Sequence, residues 1–225
     1  MSVSTTAMEH RTAHHKSVIG LPQALSYEHR VGLLAERVAM HIESLVPRGR
    51  ARCLDVACGD LSIAEAVHAR APRTDWQSLD VQDLTAERRS DWRSGEYQEL
   101  AGYNLPYAER EFDIAVLCDV LHRTPANAAQ LLADAGRVAN RVLVKDRFEY
   151  GAYSRTMLRL MDVVDQWGAG ELPRRYFTRE GFTRLAAEQR FVITALDCEL
   201  SLYGDLVPRG LLRPDCHFIA VLRRT

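Results

Sequence analysis

Long apolar runs are missing from this chain of 225 residues, and none of its apolar stretches would cross a bilayer. The opening segment, Met1 to Lys16, is polar and has no apolar core for a signal peptide. An excess of either charge is also missing. Lys and Arg number 29 against 30 Asp and Glu, a formal net charge of -1, which argues against a general nucleic-acid binder. Paired cysteine motifs are absent. The five cysteines, Cys53, Cys58, Cys118, Cys198 and Cys216, are odd in number and form no CxxC pair. That excludes a small disulfide scaffold and a zinc ribbon, and it suits free thiols in a reducing cytoplasm. There is no nucleotide phosphate loop, no Ser/His/Asp order and no internal repeat.

What remains is an ordinary globular mixture, 47% hydrophobic and 26% charged. Its length suits one domain. Residues 1–29 read as a mobile N-terminal arm. His10, His14 and His15 lie there, but without a third ligand signal they read as a solvated tail, and no metal site is expected. From Arg30 to Val46 an apolar stripe of Val31, Leu34, Val38, Ile42 and Leu45 predicts a helix. Strands are predicted at Cys53–Ala57, Asp75–Val81, Glu96–Leu100, Phe112–Cys118 and Arg141–Lys145. Helices are predicted at Ser62–Arg70 and Ala126–Ala139. This alternation implies a mostly parallel sheet with helices on both faces. Afterwards come a helical stripe (Met157, Leu160, Met161, Val164, Trp167), a helix at Arg179–Gln189 behind a Thr178 cap, and two strands, Phe191–Leu202 and His217–Leu222. That last pair is expected to form an antiparallel edge.

In such a sheet, ligands bind outside the carboxyl ends of the strands. Gly59 follows the first strand, where a glycine lets a ligand approach the backbone and the next helix offers free N–H groups. Asp80 ends the second strand 21 residues later, a spacing that suits an acid accepting both hydroxyls of a ribose.

At these residues the chain resembles a known family. The run Leu54-Asp55-Val56-Ala57-Cys58-Gly59-Asp60-Leu61-Ser62 is similar to the first motif of class I S-adenosylmethionine-dependent methyltransferases. Leu105-Pro106-Tyr107 with Phe112-Asp113, then Asp119-Val120-Leu121-His122, then Tyr176-Phe177-Thr178-Arg179-Glu180-Gly181-Phe182, resemble stretches of its ubiquinone/menaquinone-type small-molecule branch. The resemblance spans about residues 30–225. It implies a Rossmann-like α/β fold of seven strands with an antiparallel last strand, and a helical lid inserted over 148–177. The implied cofactor is S-adenosylmethionine. Asp55, Ala57, Gly59 and Leu61 would shape its turn and Asp80 would bind its ribose. Val81 and Gln82 would pack on its adenine, and Asp119 and Leu121 would line its methionine side. His122 would face the acceptor.

Two departures stand out. The family often has three alternating glycines in the first motif, where this chain has Ala57, Gly59 and Leu61. Leucine in the third place is expected to fill the methionine end. The family also often has an acid ahead of the LPY stretch, for the adenine amine. That place is empty here, leaving Glu99, Asn104 or backbone groups to serve.

His122 is a candidate general base, having a free pKa near neutrality, against the plainer reading of a loop-ordering histidine. Lys145 and Asp146, adjacent and opposite in charge, read as a structural or solvated pair. The lid carries Phe148, Tyr150, Tyr153, Trp167, Tyr176 and Phe177. Tyr153 and Tyr176 are candidates to flank a sulfonium, since aromatic faces attract cations. The apolar lid helix offers a face for a homodimer.

Three functions compete. The first is methyl transfer to a small-molecule acceptor, without nucleic acid or membrane as partner. The second needs no acceptor: the cofactor's own amine attacks its γ-carbon, giving azetidine-2-carboxylate and methylthioadenosine, as in a few bacterial cyclases of this fold. Leu61, Asn140 and Tyr176 would serve there. The third is a catalytically dead fold kept for binding.

Overall fold

The computed structural model describes residues 27–80, 95–100, 102–166, 173–198, 200, 202 and 213–225. The N-terminal histidines, Val81, Gln82 and Trp167 lie outside the described residues. In chain order the elements are α1 (Tyr27–Leu45), β1 (Ala51–Val56), α2 (Ser62–Arg70), β2 (Thr74–Asp80), β3 (Gly95–Glu99), β4 (Phe112–Cys118), α3 (Ala128–Val138), β5 (Ala139–Arg147), α4 (Ala152–Gln166), α5 (Arg179–Glu188), β6 (Phe191–Asp197) and β7 (His217–Arg224).

The seven strands form one sheet in the order β3-β2-β1-β4-β5-β7-β6. The pairs β1–β2, β1–β4, β2–β3 and β4–β5 are parallel. Strand β7 runs antiparallel to both β5 and β6 and lies between them. The fold class read from the sequence is the one observed. The strand order reverses between β1 and β4, and such sheets hold ligands outside the carboxyl ends of their strands at this switch point.

Side chains alternate across the sheet and sort into two apolar layers. Cys53, Ile114, Val116, Leu143 and Ile219 pack with Leu34, Val38 and Ile42 of α1 and with Ala64 and Val67 of α2. Leu54, Val56, Ala115, Leu117, Val142 and Val144 pack with Leu131, Leu132 and Ala135 of α3 and Phe182 of α5. Phe148 stacks on Phe218, with ring centroids 4.0 Å apart. Thr178 caps α5 by accepting from the Gly181 N–H at 3.0 Å, as expected. Gly136 is required by packing, because a Cβ there would come within 2.2 Å of the Phe191 ring.

Strand β5 runs longer at both ends than its apolar centre predicts, reaching Arg147. The stripe expected on α4 is turned. Ser154, Leu158 and Asp162 are buried, while Leu160 is 55% exposed. A buried carboxylate occupies a position that a hydropathy pattern assigns to solvent. No helix among the described residues is long and apolar enough to cross a membrane.

Candidate active site

The turn from β1 to α2 winds left-handed at every second residue. The φ angles are 59° at Ala57, 58° at Gly59 and 67° at Leu61. These are the three alternating positions where the resembled family often has glycine. Two residues with side chains therefore sit in a conformation that costs about 1–3 kcal/mol each. The Leu61 side chain is fully buried with Leu34, Val38 and Ala64, a burial that contributes about 1.5–3 kcal/mol and offsets the strain. Leu61 is therefore an anchor of the turn in the α1/α2 layer. Asp60 accepts from the Ser62 N–H at 3.1 Å and so caps α2.

Carboxylates gather around this turn. The Gly59 N–H donates to Asp80 Oδ2 at 2.7 Å, tying the end of β2 to the glycine. Asp55, on β1, is buried, and its Oδ2 has no hydrogen-bond partner. Burial, and then the charges of Asp80 and Asp60, raise its carboxyl to about 7. Cys58 is buried in the turn, and burial and the nearby carboxylates push its thiol well up, which removes it as a nucleophile.

Across the switch point the arrangement changes. Asp119 follows β4 with a left-handed φ of 55°, and its N–H donates to the Lys145 carbonyl at 2.8 Å. Lys145 Nζ pairs with Asp119 Oδ2, and Arg147 Nε lies 3.4 Å from Asp119 Oδ1. Burial works to raise the Asp119 carboxyl, but Lys145, Arg147 and His122 together hold it well below its ordinary value. No hydrogen bond reaches Asp119 Oδ1.

Asp146 points the other way. Its Oδ1 accepts from His122 Nδ1 at 2.7 Å and from the Arg147 N–H at 2.7 Å. The buried Nε2 of His122 has no hydrogen-bond partner. Lys145 and Asp146 are thus not a pair. Successive residues of a strand face opposite sides, and each finds its partner on β4 or the loop after it.

Helix α4 packs against this network. Asp162 of α4 is fully buried and accepts from Arg147 Nη1 at 2.8 Å, from Arg123 Nη2 at 3.5 Å and from the Tyr176 hydroxyl. Burial and the Asp162 hydrogen bond raise the Tyr176 phenol far above its ordinary value. The Tyr176 ring lies 5.1 Å from that of His122. Glu149 anchors the segment, accepting from the Tyr176 N–H at 3.0 Å and from Arg155 Nη2 at 2.7 Å.

Of the residues singled out in the sequence, Asp55, Ala57, Gly59, Asp80, Asp119, His122 and Tyr176 come together at this edge of the sheet. Leu121 is buried in the α3 layer. Asn140 does not join them. It is exposed at the second residue of β5, five residues and about 16 Å of strand from Lys145. Tyr153 is 59% exposed. Glu99 and Asn104 are exposed, and Asn104 Oδ1 already accepts from Gln130 Nε2 at 2.9 Å. Sequence reasoning missed Arg147, Asp162 and the role of Asp146. One signal was available, an acid at position 162 inside an apolar helical stripe.

Asp119, His122 and Asp146 each place a ligand atom within 4.8 Å of the others. A divalent cation there would meet Lys145 and Arg147 on the same carboxylate, so the trio is better suited to protons than to a metal.

No family model and no curated protein sequence matches the chain. Solved structures do. A SAM-dependent methyltransferase of Methanosarcina mazei superposes with a TM-score of 0.59 at 14% identity, over 82% of this chain and 96% of that one. Magnesium protoporphyrin IX methyltransferase of Synechocystis, with bound SAH, gives 0.62 at 11% identity, over 93% and 89%. A SAM-dependent methyltransferase of Aquifex aeolicus gives 0.58 at 11% identity, over 87% and 93%. At such identities the likeness establishes the fold: the chain has the seven-stranded architecture of these proteins.

Proposed function

We propose that this chain is an S-adenosylmethionine-dependent methyltransferase acting on a small molecule. The carrying observation is the group of carboxylates at the carboxyl ends of β1, β2 and β4, where Asp55 holds a buried oxygen, Oδ2, without a hydrogen bond. Buried acceptors left unpaired cost stability until a donor arrives, and the methionine ammonium of the cofactor is such a donor. Asp80, which accepts from the Gly59 N–H, would accept from the ribose hydroxyls. Val81 and Gln82 follow it in sequence and remain assigned to the adenine. When bound, the cofactor supplies a methyl group already activated on a sulfonium.

The chain's own task is then alignment and exclusion of water. Tyr176 and α4 bury the polar groups at the ends of β4 and β5, which favours a small acceptor, or a small group reaching beneath α4. The phenol of Tyr176 is committed to Asp162 and stays protonated, so it acts as a wall. The cyclase reading loses support, because Asn140 is exposed at the far end of β5 from Lys145.

The test is S-adenosylhomocysteine binding by calorimetry, with Asp80→Ala as the control. Binding by the wild type and its loss in Asp80→Ala are expected; no binding overturns the proposal. Incubation with S-adenosylmethionine alone separates the reactions. Enzyme-dependent methylthioadenosine with an equal amount of a cyclised amino acid would replace methyl transfer by cyclisation.

A further inference from the structure

We propose that the atom methylated is a hydroxyl oxygen, and that His122 takes the hydroxyl proton while Asp146 acts as its positioning residue. The inference rests on the methyl-transfer reading above and names the chemistry of its acceptor.

The first argument is the hydrogen-bond inventory of the histidine. Asp146 already accepts from the backbone N–H groups of His122, at 3.3 Å, and Arg147, at 2.7 Å. An ionised carboxylate only accepts, so the 2.7 Å contact to His122 Nδ1 puts the ring hydrogen on Nδ1. Nε2 is left with its lone pair, buried and without a hydrogen-bond partner. This is the arrangement in which an acid fixes the tautomer of a basic imidazole. The groups facing the ring are Asp146 from β5, Asp119 from the end of β4 and Tyr176 from the segment before α5, with Asp162 of α4 behind the tyrosine.

The second argument selects oxygen. An amine acceptor would arrive as an ammonium, beside a sulfonium and beside Lys145, Arg147 and Arg123, three cations that pair with Asp119 and Asp162. A hydroxyl brings no charge, and the oxygen that becomes negative as it reacts is stabilised by the same cations. A hydroxyl is also an acceptor that gains from a base, because its neutral oxygen is a weak nucleophile. The balance is complete within the site. The O–H proton passes to His122 Nε2, an oxygen lone pair forms the bond to the methyl carbon, and the C–S electron pair stays on sulfur. The imidazolium beside Asp146 then loses its proton to solvent.

Two measurements test this. In the complex with S-adenosylhomocysteine, nitrogen-15 correlation spectra of the labelled histidines should show His122 with hydrogen on Nδ1 only, and Asp146→Asn should disturb that tautomer. Hydrogen on Nε2 in the wild type would overturn the proposal. Methyl-labelled S-adenosylmethionine is also offered a panel of phenols, alcohols and the matching amines. Label on oxygen is expected, with kcat lower by about 10²–10⁴ in His122→Gln and the Kd for S-adenosylhomocysteine unchanged. Label on nitrogen or carbon, or undiminished transfer in His122→Gln, would count against it; if no panel member reacts, the tautomer decides. Asp146→Glu should recover part of what Asp146→Asn loses. Failure to bind S-adenosylhomocysteine at all is a different outcome, and it removes the methyl-transfer reading itself.

Discussion

The two halves of the sheet's carboxyl edge are built on opposite principles. On the β1–β2 side the carboxylates crowd together: Asp55 is buried with an unpartnered oxygen, and Asp80 leans on a backbone N–H. On the β4–β5 side nearly every charge is answered. Lys145 meets Asp119, Arg147 meets Asp162, and His122 meets Asp146. The first side is incomplete without a ligand that brings donors. The second is a denser network of ion pairs, in which Asp119 Oδ1 and His122 Nε2 are still buried without a hydrogen bond. A site of this kind divides its work: the carboxylate half supplies affinity, and the ion-paired half supplies geometry. Buried groups kept unsatisfied cost folding free energy, which ligand binding can return.

The sharpest way to break this comparison is Asp162→Ala. If the lid side is a closed network, the variant leaves Arg147 and the Tyr176 hydroxyl facing a void. The loss of a buried partner should cost about 3–5 kcal/mol, read as a large fall in the urea midpoint. A loss below about 1 kcal/mol would mean that the network is as loosely held as a surface ion pair. The next effect concerns the turn. Leu61→Gly relieves a left-handed leucine but empties a fully buried site. Packing should win, with a net loss of about 1–4 kcal/mol and little change in S-adenosylhomocysteine affinity. A large affinity change instead would place Leu61 at the ligand.

The division also explains what could be read from the sequence. The cofactor side is local: Gly59, the first-strand motif and Asp80 at the next strand end follow from one βαβ unit, so spacing alone finds them. The boundaries of β4 were legible too, because its run is apolar on both faces. The lid side is assembled from β4, β5, α4 and the loop before α5, and its pairs join residues 14 to 39 apart. No periodicity links Asp146 to His122, or Asp162 to Arg147. Each acid reads as solvated because buried ion pairs are rare, and only the three-dimensional fold shows that each is answered. Leu61 is a related case. A motif position suggests a ligand wall, whereas the left-handed backbone turns that side chain into the core.

On the cofactor side, Asp80→Ala removes an acceptor of charge-assisted bonds. It should weaken S-adenosylhomocysteine binding by about 10- to 100-fold, with stability changed far less than in Asp162→Ala. The reverse ranking would dissolve the distinction between the two halves.

The smallest effect is the most specific. Asp55 has its carboxyl raised to about 7 in the folded protein, against about 3.9 in an unfolded chain. Between these values the native state binds more protons than the unfolded state. This group's contribution to stability is therefore fully present below about pH 4 and is lost as pH rises through about 7. Asp55→Asn removes the titration. Its urea midpoint should lie near or below that of the wild type in acid, then overtake it above about pH 7. A donor-bearing ligand should oppose the loss, because an ammonium at Asp55 Oδ2 favours the ionised form. The stabilisation given by S-adenosylhomocysteine should therefore grow through about pH 7 in the wild type, with protons released on binding, and stay flat in Asp55→Asn. Parallel pH profiles for the two proteins would mean that the unpaired oxygen on β1 is not what the ligand answers, and the affinity of this half would have to come from Asp80 and the glycine turn alone.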